Sequence, residues 1–205
     1  MPKLIDLTHT LNEQLLPFPG DMPPRIMQEA TISTHGVARQ QITIGTHIGT
    51  HIDAPCHMIA GAKKLSDFSL DTFCGRGVLL DARNKTIDEH LFTATKKTGA
   101  SIALIHTGHD RLWGRTEYFE NYPCLTKSFA QKLIEARIKM VVLDTPSPDI
   151  APFAIHHMLF AHDILIVENA CNFHELLGAT AFDIIALPLK LELDGSPIRV
   201  IAHVQ

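Results

Sequence analysis

The chain has 205 residues, of which 45% are hydrophobic and 20% charged, with a formal net charge of −4. This composition suits one globular domain over residues 1–205 and argues against a disordered chain or a coiled coil. The 18 Lys and Arg are offset by 22 Asp and Glu without a run of like charge, so neither nucleic acid nor an anionic membrane is expected as a partner. No apolar stretch reaches the roughly 18 residues of a bilayer span and residues 1–10 lack a signal-peptide core, so a cytoplasmic location is expected.

Short apolar, β-branched runs predict strands at 3–7, 42–46, 77–81, 102–106, 140–144, 164–168, 184–187 and 197–203. Apolar residues between 129 and 138 recur with helical spacing, and Thr126 or Ser128 is placed to cap that helix. A second helix is predicted from about 154 to 162. Segments 17–24, 145–152 and 194–197 are rich in Pro, Gly, Asp and Ser, which predicts loops. The whole pattern indicates an α/β fold.

Potential metal ligands cluster between residues 47 and 57, which read His-Ile-Gly-Thr-His-Ile-Asp-Ala-Pro-Cys-His. His47, His51, Asp53 and His57 all occupy odd positions. A helix would place Asp53 about 200° away from His51, and a straight extended chain would separate His47 and His51 by about 13 Å. The backbone must therefore curl, and Gly49 is the residue whose dihedral freedom permits the curl.

Two neutral imidazoles and a carboxylate suit a borderline divalent ion such as Zn²⁺ or Mn²⁺, and three protein ligands leave one coordination position open for water. The alternative is a histidine-rich loop packed against polar backbone. Pro55 and the repeated Gly-Thr-His units at 45–47 and 49–51 instead indicate a constrained loop with a function. The segment therefore predicts a catalytic metal site.

The same string resembles the H-x-G-T-H-x-D-x-P-x-H signature of the putative cyclase family, whose members include bacterial kynurenine formamidases and isatin hydrolase. Further matches run along almost the whole chain. They are Asp-Leu-Thr at 6–8, Pro-Phe-Pro-Gly-Asp at 17–21, Asp-Thr-Pro-Ser-Pro-Asp at 144–149, His156, Glu168 with Asn169, Ala-Leu-Pro-Leu-Lys at 186–190 and Asp-Gly-Ser-Pro at 194–197. The resemblance implies a single domain of the swivelling β/β/α type, with mixed β-sheets and flanking helices, assembled as a homodimer or homotetramer.

The resemblance also implies a ligand set. His47, His51 and Asp53 would hold a first ion, and Asp53 would bridge to a second ion whose site His156 and Glu168 complete. One or two ions, Zn²⁺ or Mn²⁺, are expected per chain.

Two of these assignments have alternatives. Glu168 ends an apolar strand, where a carboxylate is costly unless it is paired or bound to metal; an ion pair or a surface position is its alternative. His157 is a rival for His156, because neighbouring helical positions point about 100° apart and only one can face the site. The spacing to Glu168 favours His156.

His57 resembles the family's catalytic histidine. It lies on the same side as the ligands and can carry the proton that hydrolysis moves from water to the leaving amine. A fourth metal ligand, or a residue that holds Asp53, is its alternative role. Thr50 is expected to support the backbone.

One aromatic residue, Phe18, bears on substrate binding. Phe18 stands where formamidases of the family often carry a tryptophan, so a smaller aromatic wall is expected at the substrate. His109 and Trp113 lie in a family loop of uncertain role; His109 is expected to be a packing or surface residue, and Trp113 to lie in the core or at an interface.

The predicted function is hydrolysis of a small-molecule amide, with an aryl formamide such as N-formylkynurenine, an intermediate of tryptophan catabolism, as the leading substrate. Metal-bound water would attack the carbonyl while His57 protonates the departing nitrogen. The alternatives are a cyclic amide or lactone hydrolase, or a cyclase, of the same family, and a metal-binding protein without turnover. Three ligands and a nearby proton carrier favour the enzyme.

Overall fold

The computed structural model of the chain describes residues 3–92 and 99–205. Its helices are α1 (Ile32–His35), α2 (Lys127–Glu135) and α3 (Ala154–Phe160). Its strands are β1 (Lys3–Asp6), β2 (Arg25–Ala30), β3 (Arg39–Thr43), β4 (His51–Asp53), β5 (Cys74–Asp81), β6 (Ile102–His106), β7 (Met140–Leu143), β8 (Leu165–Glu168), β9 (Phe182–Pro188) and β10 (Gly195–Val204).

Seven of the strands in the described part of the chain close into a barrel. Parallel pairs join β5, β6, β7 and β8 in that order. Strands β4, β10 and β9 then continue with antiparallel pairs and return the sheet to β5. Strand β1 pairs with β10, and β2 with β3 forms a separate hairpin. The predicted α/β class, with a mixed sheet and flanking helices, is confirmed.

Alternation along each barrel strand divides the side chains between two apolar clusters. In β8, Leu165 and Val167 belong to the cluster inside the barrel, whereas Ile166 belongs to the cluster under α2 and α3. Glu168 therefore ends the strand on the face that the helices cover. This places its carboxylate next to α3 rather than in the apolar interior.

The two predicted helices are confirmed. Thr126 caps α2, because its Oγ1 accepts a hydrogen bond from the Phe129 backbone N–H at 3.2 Å. Helix α3 begins at the predicted residue and ends at Phe160, two residues before the predicted end. Within residues 3–92 and 99–205, no helix combines the length and apolar character that crossing a bilayer requires.

Two local predictions are wrong, and two strands were not predicted. The strand predicted at 42–46 lies at Arg39–Thr43, because residues 44–46 turn away from the hairpin into the histidine segment. Strand β10 begins at Gly195, so most of the loop predicted at 194–197 is paired in the sheet. Strands β2 and β4 were not predicted, since β2 is mostly exposed and does not alternate apolar with polar residues, and β4 has only three residues.

Candidate active site

The histidine segment curls at Gly49, as predicted. Gly49 has φ +63°, in the left-handed region that favours glycine, and the chain then becomes extended in β4. The curl brings the ring centroids of His47 and His51 to 5.3 Å. His51 Nδ1 donates a hydrogen bond to the Gly49 carbonyl at 2.9 Å, so in the neutral ring the lone pair lies on Nε2, which is directed at the acidic groups described next.

Asp53 is the buried centre of the site, with a side chain that is almost inaccessible to solvent. Its Oδ1 lies 2.7 Å from His47 Nδ1 and 3.3 Å from His51 Nε2. Burial alone would raise the pKa of this carboxyl, but the charge of His51 and the hydrogen bond from His47 outweigh burial and lower the pKa far below its usual range. Asp53 is therefore ionised.

Strand pairing brings Glu168 to the same place. Strand β4 lies antiparallel to β8, with His51 directly opposite Glu168, and directly opposed residues project from the same face of a sheet. Glu168 Oε2 lies 3.4 Å from His51 Nε2, and its Oε1 lies 3.4 Å from His156 Nε2 on α3. One carboxylate thus contacts imidazoles from a strand and from a helix.

His156 is held in place by Asp149. The Asp149 Oδ1 lies 2.6 Å from His156 Nδ1, and Oδ2 accepts a 2.6 Å hydrogen bond from the Ile155 backbone N–H. Burial opposes protonation of His156, but hydrogen bonds with Asp149 and Glu168 outweigh it and raise its pKa to about 9. His156 is buried and faces Glu168, whereas its rival His157 is exposed.

Asn169 fastens the curl to the end of β8. Its Nδ2 donates to the Gly49 carbonyl at 2.9 Å, and its backbone carbonyl accepts a hydrogen bond from Thr50 Oγ1. Tyr118 Oη donates to Asn169 Oδ1 at 2.9 Å. Thr50 therefore supports the backbone, as expected.

His57 lies beside His47 and also faces His156, whose ring centroid is 6.5 Å away. Its ring centroid is 4.0 Å from that of His47, and its Nδ1 is 3.4 Å from Asp194 Oδ2. The same oxygen lies 2.8 Å from His47 Nε2. Asp194 was not predicted as a site residue, because only the pairing of Gly195 with Asp53 brings this distant segment to the histidines.

A cavity of about 230 Å³ opens onto these groups. Its outer wall is apolar and largely aromatic, formed by Leu16, Phe18, Trp113, Phe119 and Phe153. Phe18 contacts Phe119 edge to face, with a centroid separation of 5.6 Å. Trp113 was expected in the core or at an interface; it is half-buried, stacks on His9 with ring centroids 4.0 Å apart, and lines this cavity.

His109 behaves as predicted for a packing residue. It is buried, and its Nε2 donates to the Tyr118 carbonyl at 2.7 Å. It does not line the cavity.

The donor set fits a divalent ion. Two groups of three residues each place their ligand atoms within 4.8 Å of one another. Both groups include Asp53. The first contains His47 and His57, and the second contains His51 and Glu168. Four of the five predicted ligands, His47, His51, Asp53 and Glu168, occur in these groups, and the fifth, His156, contacts Glu168.

Comparisons with known proteins agree with this architecture. The family model described as putative cyclase matches residues 5–150. An uncharacterized protein of Methanocaldococcus jannaschii is 34% identical over 201 residues, covering 98% of each chain. A kynurenine formamidase of Bacillus cereus is 33% identical over 204 residues, covering 96% of this chain and 95% of that protein. Isatin hydrolase A of Labrenzia aggregata, bound to benzyl benzoate, is 23% identical with a TM-score of 0.85, covering 99% of this chain and 94% of that one.

The chain belongs to the putative cyclase family, as its motifs predict. The likeness to isatin hydrolase A extends over the whole barrel and shows a shared fold. The predicted class of enzyme, an amidohydrolase that acts on C–N bonds other than peptide bonds, is confirmed together with the family.

Metal affinity is expected to rise with pH from about 6.5 to about 9. A metal ion binds neutral imidazole, and His156 without metal has its pKa raised from 6.5 to about 9, so a proton must leave this ring at any pH below that value. Titration of the apo protein with Zn²⁺ at several pH values, by calorimetry in two buffers of different ionisation enthalpy, measures affinity and proton release together. The exposed variant His157→Ala should show the same dependence as the wild type. An affinity that is constant over this range, without proton release, would contradict the expectation.

Proposed function

We propose that this chain is a metal-dependent hydrolase of a small amide, with an aryl formamide of the N-formylkynurenine type as its substrate. Two features support the substrate class: the family relative that is a kynurenine formamidase, and the aromatic wall that stands over the acidic and histidine side chains of the cavity. A planar aromatic group can pack against Phe18 and Trp113 while its amide reaches the polar floor.

The observation on which the proposal rests is that the buried Asp53 carboxylate contacts the imidazoles of His47 and His51. A carboxylate at 1% exposure with Glu168 close by is costly unless cationic groups balance it. Neutral imidazoles with their outer nitrogens already bonded, together with two carboxylates, are the donor set of a catalytic Zn²⁺ or Mn²⁺ site.

We assign His47, His51 and Asp53 to a first ion, because both imidazoles contact Asp53 Oδ1. We assign Asp53, His156 and Glu168 to a second ion, because His156 contacts Glu168. When bound, a divalent ion supplies Lewis acidity, which lowers the pKa of water toward neutrality and polarises an acyl carbonyl. The protein's part is to orient the ligand atoms and to exclude bulk water with the aromatic wall.

His57 is the proposed proton carrier. Its ring is half-buried and lines the cavity, next to His47 and 6.5 Å from the ring of His156. A neutral imidazole at this position can take a proton from water and deliver it to the amine nitrogen as the C–N bond breaks. This step leaves the amine neutral and able to depart.

A cyclic amide is the second candidate substrate. The cavity of about 230 Å³ is below the range of about 300 to 1,000 Å³ that holds drug-sized ligands, and the position expected to carry a tryptophan is Phe18. A compact bicyclic amide such as isatin fits such a space, and its ring opening breaks the same kind of C–N bond.

The first test is a substrate panel with controlled metal content. N-formylkynurenine, formanilide, isatin and a lactone are assayed with the metal-stripped protein and after addition of Zn²⁺ or Mn²⁺. Chelation should abolish turnover of the formamides and lower the melting temperature, and the metal should restore both. Turnover of isatin alone would favour the second candidate. Activity that persists in protein shown to hold no metal, or turnover of no member of the panel, would refute the proposal.

Two variants test whether the two proposed ions occupy distinct sites. Glu168→Gln should lower the metal content without emptying the first site, whereas Asp53→Asn should weaken both sites because Asp53 contributes to each. Metal per chain is measured by mass spectrometry after dialysis. Equal and near-zero content in both variants would indicate a single site built from all five residues. Full content in Glu168→Gln would remove Glu168 from the ligand set.

The His57→Ala variant tests whether His57 acts in the chemical step or as a metal ligand. If His57 carries the proton, kcat should fall by about 10² to 10⁴, while metal content and melting temperature stay close to those of the wild type. The exposed His157→Ala is the matched control and should be fully active. Loss of metal from His57→Ala, with partial rescue by excess Zn²⁺, would instead make His57 a ligand.

A further inference from the structure

One carboxylate oxygen is shared by a proposed metal ligand and the proposed proton carrier. Asp194 Oδ2 lies 2.8 Å from His47 Nε2 and 3.4 Å from His57 Nδ1. An ionised carboxylate only accepts hydrogen bonds. Both ring nitrogens that face it must therefore be N–H groups.

This contact has a definite consequence for each ring. Nδ1 of His47 lies 2.7 Å from the ionised Asp53, so without a metal this nitrogen donates as well and the ring carries both protons. When the ring gives up one proton to bind a metal, the Nε2–H held by Asp194 leaves the lone pair on Nδ1, the nitrogen beside Asp53. A proton on Nδ1 of His57 leaves its Nε2 able to exchange a proton with a substrate in the cavity. A single side chain thus selects the useful tautomer of two histidines.

Asp194 is held in place through both its backbone and its side chain. Its carbonyl accepts a 2.8 Å hydrogen bond from the Ala54 N–H, and its Oδ1 accepts one from Thr46 Oγ1 at 3.3 Å. The next residue, Gly195, leaves no room for a side chain, because a Cβ there would lie 2.7 Å from His47 Cε1. The imidazole of His47 therefore packs directly on the backbone that presents Asp194.

We propose that Asp194 is a positioning residue that orients His47 for the metal and His57 for proton transfer. The inference rests on the proposed function, since it assigns His47 and His57 the roles given above. It predicts two separable losses when the carboxylate is removed: weaker metal binding through His47, and slower turnover through His57.

The test is Asp194→Asn, with Glu192→Gln as its matched control. Glu192 lies in the same loop, is 84% exposed and contacts neither histidine. Zn²⁺ affinity, measured by competition with a chromogenic chelator, should fall about 10- to 100-fold in Asp194→Asn and stay unchanged in Glu192→Gln. At saturating Zn²⁺, kcat for the formamide should fall by a similar factor with little change in KM.

A double-variant cycle identifies the route of the kcat effect. If Asp194 acts through His57, adding Asp194→Asn to His57→Ala should change kcat by less than about twofold. An equal loss of kcat in the presence and absence of His57 would overturn the inference, as would Zn²⁺ affinity and kcat in Asp194→Asn that both match the wild type.

The design also separates this inference from the proposed function. A wild-type chain that binds Zn²⁺ but hydrolyses no amide refutes the proposed function alone. The Zn²⁺ affinity of Asp194→Asn then decides the inference. A reduced affinity supports the inference, and an unchanged affinity overturns it. Circular dichroism checks folding of each variant. Should Asp194→Asn fail to fold, Thr46→Val, which removes the donor to Oδ1, replaces it. Smaller losses in the same direction support the inference, and no loss overturns it.

Discussion

The burial of the Asp53 carboxylate is the constraint on which the site depends. A carboxylate removed from water is costly unless hydrogen-bond donors or cations surround it. The fold supplies imidazoles to Asp53 from the curled segment and from the strand that contains it. Gly49 and Asn169, which fix the curl, therefore determine both the stability of this region and the geometry of the site.

The buried imidazoles follow a common arrangement, in which an outer acceptor binds one ring nitrogen and the other nitrogen faces an inner carboxylate. Asp149 is the outer acceptor for His156, and the Gly49 carbonyl is the outer acceptor for His51. Outer acceptors of this kind fix the tautomer and the orientation of metal-binding histidines. With two inner carboxylates and neutral rings, the site has the charge that a divalent cation balances.

Sequence patterns were most informative where a segment is buried on both faces. The strands at 102–106 and 140–143 were predicted nearly to the residue, because parallel barrel strands are continuous apolar runs. The β2–β3 hairpin was missed or shifted, since every residue of β3 is exposed and the pattern has no apolar face. Strand β4 was missed because three residues are too few to show a period.

The sequence by itself determined the family, the α/β class, the clustering of donor residues at 47–57 and the need for a curl at Gly49. These follow from local spacing, residue chemistry and a long motif. Only the tertiary structure decided that Asp194 contacts His47 and His57, that Asp149 holds His156, and that Trp113 lines the cavity. The physical reason is that these contacts depend on strand register and on which face of a barrel strand meets a helix, and both are set by pairing between segments far apart in the chain.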